Sequence, residues 1–325
     1  MIPFLVEAIA LATVFLFGCV GEIITEKAGH LNLGIPGIMC VGTAGGCYAV
    51  SLYMRSASAP SNASWLLLVL LAVLMAVLFA AALGGIYAFL TVTLRCNQNI
   101  TGLAVTIFGN GFAQFFMDTC VLTSDVDRAN FEVAGKLISK GLPFADKLGA
   151  FGAIFLSHGI LVYLSIAVAV LTAWFLKKTR AGLHLRAVGE SPATADAAGI
   201  NVGAYKYGAI LIGSGIAGLG GFFYIMDYIK GSWENAATIE ALGWLSVALV
   251  IFTLWRPNLS ILGSIIFAAL YTAAYYINGD STQKELLKLI PYVMTVLVLI
   301  ITSIKGSKSN QPPASLGLSY FREER

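Results

Sequence analysis

The sequence predicts an all-α fold, a polytopic transmembrane helical bundle of about nine spans, one of them short, polar or re-entrant. Three observations carry this. Charged residues make up 11% of the chain and hydrophobic residues 58%, whereas a soluble domain carries roughly 25% charged residues. The mean hydropathy is +0.82, so lipid is the only solvent that suits most of the surface. The apolar residues also gather into nine stretches near or above the ~20 residues that cross a hydrocarbon core.

The stretches are 3–21, 35–54, 65–93, 99–118, 150–176, 205–228, 236–254, 259–277 and 288–304. Stretch 65–93 is over-long for a perpendicular span and is expected to tilt or project from the membrane. Stretch 99–118 contains Asn99, Thr101, Thr106, Asn110 and Gln114. It is too polar to face lipid along its length, and is expected to pack at the bundle centre or to re-enter against protein. Small residues recur at i, i+4, i+8 in Gly213, Ala217, Gly221 and in Ala80, Gly84, Ala88, with Gly42 and Gly46 repeating the pattern once. Such rows let backbones approach closely where no hydrophobic effect separates protein from lipid.

Basic residues orient the chain. The connection 177–204 carries Lys177, Lys178, Arg180 and Arg186 with His184, which makes it cytoplasmic. Nine spans then put 22–34, Arg95, Arg256 and the tail (Lys305, Lys308, Arg322, Arg325) on the same side. The loop 119–149, with Asp125, Asp127, Glu132 and Asp146, falls outside, as do Lys230 and Lys284. The N-terminus is expected outside and the C-terminus inside. The membrane domain is 1–305, and the tail 306–325, with Gln311, Pro312 and Pro313, is expected to be flexible. No basic region precedes the first apolar run, so a cleaved signal peptide is not expected.

Several chemistries are excluded. The five cysteines (Cys19, Cys40, Cys47, Cys96, Cys120) form no C-x-x-C pair and read as small buried hydrophobes. His30, His158 and His184 lie far apart without a second ligand at i+3 or i+4, so no metal site is expected. The G-x-G-x-x-G at 213–218 sits inside an apolar helix rather than after a strand, and no P-loop occurs. The N-x-[ST] triplets at Asn62, Asn99 and Asn258 are taken as chance. No catalytic constellation, cofactor site or nucleic-acid footprint emerges. Intramembrane charge is scarce, with Glu7 the main example, so the energy for any transport is expected to lie on another subunit.

The informative stretch is LHLRAVGESPATADAAG, 183–199. Ser191 suits an N-cap, Pro192 the first helical position and Gly199 the left-handed residue after the helix. A helix of about two turns is unstable alone in water and needs a groove to dock in. The alanine-rich face suits close approach.

RAVGESPATADAAGI resembles the coupling-helix signature of the type-II binding-protein-dependent ABC permeases, importers of nucleosides, simple sugars and branched-chain amino acids. Two further stretches are similar to that family. EIITEKAGHLNLGIPGIM (22–39) matches through Glu26, Gly29, Asn32, Gly34 and Gly37, departing at His30 and Pro36. NQNITGLAVTIFGNG (97–111) is similar to the nucleoside-type members through Asn97, Gln98, Gly102 and Ala104. The resemblance implies two permease subunits, often distinct chains, on two cytoplasmic ATP-binding subunits, with an external binding protein or lipoprotein delivering the solute. It implies ATPase coupling through Gly189, Glu190, Ser191, Pro192, Ala195, Asp196, Ala198 and Gly199, and no covalent chemistry by this chain.

A solute path is expected along Asn97, Asn110 and Gln114, because lipid exposure of these groups is costly, the alternative being that they only cross-link helices. Asn32, near a membrane boundary in the GHLNLG turn, is a further candidate. An uncharged path with amide, hydroxyl and aromatic groups suits a nucleoside, and suits riboflavin or a neutral sugar as well. An ion-coupled carrier is the rival from another class, and it needs no capped cytoplasmic helix.

Overall fold

The computed structural model describes residues 2–56, 64–142, 148–276, 280–305 and 311–321, and among them helices dominate and no strand occurs. Asn62, Asp146, Lys308, Arg322 and Arg325 lie outside the described residues.

The chain begins with α1 (Ile2–Lys27), α2 (Ile35–Ser56) and α3 (Trp65–Ala88), the last running into a π-helical turn at Phe89–Thr93. Next come α4 (Gln98–Phe116), extended by the π-helical turn Met117–Val121, and the amphipathic α5 (Asp125–Ile138). Short α6 (Gly149–Phe155) precedes α7 (Ile160–Lys178), α8 (Arg180–Glu190) and α9 (Pro192–Ala197). The final set is α10 (Val202–Phe223, then a π-helical turn Tyr224–Tyr228), α11 (Ala237–Phe252), α12 (Pro257–Tyr276), α13 (Ser281–Leu287) and α14 (Ile290–Lys305).

Seven of these helices are long and apolar enough to cross a membrane, and two shorter apolar ones, Ala237–Phe252 and Ile290–Ile301, bring the set to the expected nine. Helix ends and connections gather at two poles in the order nine spans require. Leu31 N–H donates to Gln98 and Trp255 donates to Glu26 at one pole. Arg55 pairs with Asp127 at 2.9 Å, and Trp233 donates to Asp118, at the other. α3 with its π-helical turn reaches 29 residues, about 43 Å of helix, which fits the expected tilt or projection.

α1, α2 and α10 form the centre, with 67%, 89% and 78% of their membrane windows buried; the windows of α3, α4, α7 and α12 are only 33–39% buried. The small-residue rows explain the centre. A Cβ on Gly42 would strike Gly218, one on Gly84 would strike Ser214, and one on Gly21 would strike the Gly213 backbone. The 213–218 glycines therefore serve helix packing.

Three expectations need correction. Stretch 150–176 is not one helix: it breaks at 156–159 between α6 and α7, where any Cβ on Gly159 would collide with the Asp227 carboxylate. The first helix runs on to Lys27, so Glu22 and Glu26 are helical and buried. The described part of the tail, 311–321, is not loose. Ser315 donates through its N–H to Gly189 O at 3.0 Å, and Tyr320 Oη donates to Asp196 at 2.9 Å. Stretch 99–118 keeps its polar character within a helix, Gln98–Val121, that is long and apolar enough to cross a membrane.

Candidate functional site

The segment α8–α9 has the punctuation its sequence prescribes. Thr179 caps α8 by accepting from Gly182 N–H at 3.0 Å, and Ser191 caps α9 by accepting from Thr194 N–H at 3.4 Å. Gly199 takes φ +81°. Its N–H donates to Asp196 O, and Ile200 N–H to Ala195 O, both at 3.0 Å. This 6→1 and 5→2 pair is a Schellman closure.

The faces of α9 differ from expectation at one residue. Ala195 is 3% exposed and packs with Val188, Val202, Tyr205 and Tyr320, so it anchors α9 to its own chain and is not a docking surface. The outward face is Ala193, Thr194, Ala197, Ala198 and Gly199, all exposed. Gly189 also turns inward: a Cβ there would collide with the Lys27 carbonyl beside Gly29. Glu190 is exposed and accepts from Ala314 N–H at 3.3 Å. Pro192 occupies the first helical position. α9 is thus fixed to the end of α1 through Gly189 and to the start of α10 through Val202.

The turn 28–34 beneath it is stitched from three sides. Asn32 N–H donates to Glu22 at 2.9 Å, while Asn32 Oδ1 accepts from Gly34 N–H at 3.0 Å. Tyr87 Oη donates to Leu31 O at 2.6 Å, and Thr106 Oγ1 donates to Leu33 O at 2.8 Å. His30 is buried with both ring nitrogens unpartnered. Burial, reinforced by the nearby Lys206 charge, lowers its pKa to about 3, so the ring is neutral at physiological pH.

A second polar feature runs along α4 toward the opposite pole. Asn110, Gln114 and Asp118 recur at i, i+4, i+8, a stripe about 12 Å long. Asn110 Nδ2 donates to Glu240, and Trp244 donates to the other oxygen of the same carboxylate at 3.5 Å. Gln114 accepts from Ala236 N–H at 2.9 Å and donates to Asp118 at 2.6 Å; Trp233 donates to Asp118 at 3.1 Å. Asn110, Gln114, Glu240 and Trp244 are half-buried, and exposed Ile107, Phe108 and Phe115 rim them.

The four expected path residues therefore separate. Asn110 and Gln114 share the stripe. Asn97 is the exposed N-cap of α4, accepting from Asn99 and Ile100 N–H, about 20 Å below Asn110 at 1.5 Å per residue. Asn32 is fully buried in the turn. The sequence reading missed Glu240, Asp118, Trp233 and Trp244. Glu240 alone had a signal, an acid inside an apolar stretch. Among the described residues no group of three or more His, Cys, Asp or Glu side chains is placed to hold a metal.

Comparison with known proteins places the chain in a family. The family described as branched-chain amino acid transport system / permease component matches residues 4–299. A Haloferax volcanii protein assigned provisionally as a glucose ABC transporter permease is 32% identical over 96% of this chain and 95% of its own. A nucleoside ABC transporter permease of Lactococcus lactis subsp. cremoris is 28% identical over the same 96% and 95%. A guanosine ABC transporter permease of Bacillus subtilis is 26% identical over 94% of this chain and 92% of its own. The chain belongs to the branched-chain amino acid transport system / permease component family: it is a multi-pass membrane permease subunit of an ABC transporter, not itself an enzyme, and its membership implies ATPase and binding-protein partners.

Proposed function

We propose that this subunit imports nucleosides along the Asn110–Gln114–Asp118 stripe, opposite a second and distinct permease chain. The carrying observation is the half-exposure of that stripe on a helix that spans the membrane. The amides of Asn110 and Gln114, inside that helix, require water or protein opposite them, since lipid exposure is costly. A path shared with a second subunit supplies both. Asn110, Gln114 and Glu240 offer donors and acceptors to ribose and base, and Trp244 offers a ring face for stacking. Two carboxylates repel phosphorylated nucleotides and leave neutral nucleosides favoured. The nucleoside and guanosine permeases among the relatives support the same choice.

In this reading an external lipoprotein delivers the solute and α9 docks on the ATPase through Ala193, Thr194, Ala197, Ala198 and Gly199. Ser191, Pro192 and Asp196 shape that helix, and Glu190 with Gly189 seats it. ATPase closure moves α9, and the Gly189 and Val202 contacts carry the movement into α1 and α10, the two central spans they join. The solute pathway then alternates between outside-open and inside-open.

A neutral sugar is the second reading, favoured by the Haloferax relative. Vesicles containing the whole complex, with ATP inside the cytoplasmic compartment, decide between them. Labelled guanosine or adenosine is expected to accumulate, and unlabelled nucleoside to compete where glucose and riboflavin do not. Asn110→Leu and Glu240→Leu should lower uptake while the complex still assembles. Parent-like kinetics in both variants would remove the stripe from the path, and selective glucose uptake would replace the substrate.

A further inference from the structure

The cytoplasmic pole holds a cleft of about 430 Å³ between the end of α3, the α9–α10 linker and the tail. Thr91, Arg95, Asp196, Asn201, Lys206 and Tyr320 face it, with His30 at its side. Lys206 is only 2% exposed. Among the described residues it has no hydrogen-bond or ion-pair partner. His30, 1% exposed, leaves both ring nitrogens unpartnered in the same place. The first turn of α10 opens here, and its leading amides at Val202 and Gly203 have no intrahelical acceptor; Asn201 caps only Ala204 N–H, at 3.0 Å. Arg95 stands at the rim in a left-handed conformation, φ +58°, over the Phe321 ring at 4.7 Å.

A buried ammonium without a counter-ion is costly unless something charged occupies the space before it. The helix N-terminus adds positive potential from a second direction, and Arg95 adds it from a third. Among the described residues lining the cleft Asp196 is the one carboxylate, and it accepts from Tyr320 Oη, so within that described lining Lys206 and Arg95 leave an excess positive charge. The volume equals about fourteen waters at ~30 Å³ each, room for a tetrahedral anion and part of what it is attached to.

We infer that this cleft binds a phosphate group, carried either by a soluble phosphate compound or by an anionic lipid headgroup. The site bridges α9 to α3, α10 and the tail, so occupancy stiffens the segment through which movement enters the membrane domain. It is separate from the α4 stripe, which disfavours anions.

The test uses the purified full-length chain without ATPase subunits, which bind phosphate themselves. Orthophosphate and pyrophosphate are titrated in detergent, with radiolabelled binding and melting temperature as readouts. In parallel the chain is placed in nanodiscs of phosphatidylcholine alone or with phosphatidylglycerol. A phosphate response in detergent identifies a soluble anion; a response confined to phosphatidylglycerol discs identifies a headgroup. In either case Lys206→Met is expected to lose the response and to melt higher than the parent when no phosphate is present. Arg95→Gln, at the exposed rim, is expected to weaken binding roughly ten-fold or more, the loss of one charge-assisted contact, and it keeps the test informative if Lys206→Met does not fold. Parent protein that responds to neither probe overturns the site. So do Lys206→Met and Arg95→Gln variants that respond as the parent does. Binding of the ATPase subunit that depends on Lys206, without any phosphate response, also overturns it and points to a partner carboxylate instead.

Discussion

Gly199→Val tests whether α9 works as a closed, docked unit. Gly199 sits at φ +81°, and a Cβ there would meet nothing within 4 Å, so a side chain is resisted by backbone conformation and not by crowding. Holding an L-residue in the left-handed region costs roughly 1–2 kcal/mol, and more for a β-branched one. Releasing it instead forfeits the two 3.0 Å bonds of the Schellman closure, each worth about 0.5–1.5 kcal/mol. Either route costs about 2 kcal/mol, a factor of up to about 30 in the population of closed α9. A helix this short has little reserve, so most molecules should lose it. Hydrogen exchange over 192–200 should rise, and ATP hydrolysis by the assembled complex should continue while uptake falls several-fold. Gly199→Asn is the comparator, because Asn tolerates the left-handed region, and it should stay near the parent. Equal behaviour of the Val and Asn variants, in exchange and in uptake, would refute the reasoning.

Further outcomes follow from named contacts. Ala195→Trp overfills a packed cluster and should lower the melting temperature, by about 1–3 kcal/mol of stability, whereas Ala198→Glu should leave melting unchanged and abolish co-purification with the ATPase. His30 has a folded pKa of about 3 against ~6.5 unfolded. The unfolded chain therefore takes up a proton first as pH falls, and stability that is complete above pH ~6.5 drains toward pH ~3, about 2 kcal/mol of it by pH 5. Melting scans in phosphate-free buffer should show that loss in the parent and its absence in His30→Gln. Cysteines placed at Lys140 and Lys178, in a background without reactive native thiols, should be labelled by an impermeant reagent from opposite sides of the membrane; labelling from one side contradicts the nine-span order.

Much of the fold is legible in the sequence because lipid imposes a simple code of length and hydropathy. Each of the nine stretches holds an apolar helix, with 150–176 broken in two, and the rows through Gly213, Gly84 and Gly42 meet their partners as small residues in a lipid-solvated bundle should. The break at 156–159 escapes that code. At the break Gly159 packs closely against Asp227, a long-range contact that hydropathy over 150–176 does not register. The caps of α9 are local chemistry, so Ser191 and Gly199 read correctly from their neighbours alone. The inward turn of Ala195 does not, because an alanine looks the same facing a partner or facing Val188 and Tyr205. Asn110 and Gln114 stand out as amides in a span. Asp118 and Trp233 sit at the outer pole, where polar side chains are ordinary, and only their meeting with α4 gives them meaning. The docked tail hides for a similar reason. Ser315 and Tyr320 bond to a segment more than a hundred residues away, and no local periodicity announces it.

Substituted-cysteine accessibility at Gln114 tests the central claim most directly. Gln114 lies on the half-exposed stripe of α4, whereas Leu70 on α3 is 57% exposed and apolar. If the stripe lines an aqueous path between subunits, a cysteine at 114 in the assembled complex reacts with a charged, membrane-impermeant thiol reagent. Its rate should change when the ATPase is trapped in its ATP-bound state, and nucleoside with the binding protein should slow it. A cysteine at 70, facing lipid, should stay unreactive throughout. A cysteine at 114 that is as inert as the one at 70, in every nucleotide state, would contradict the account.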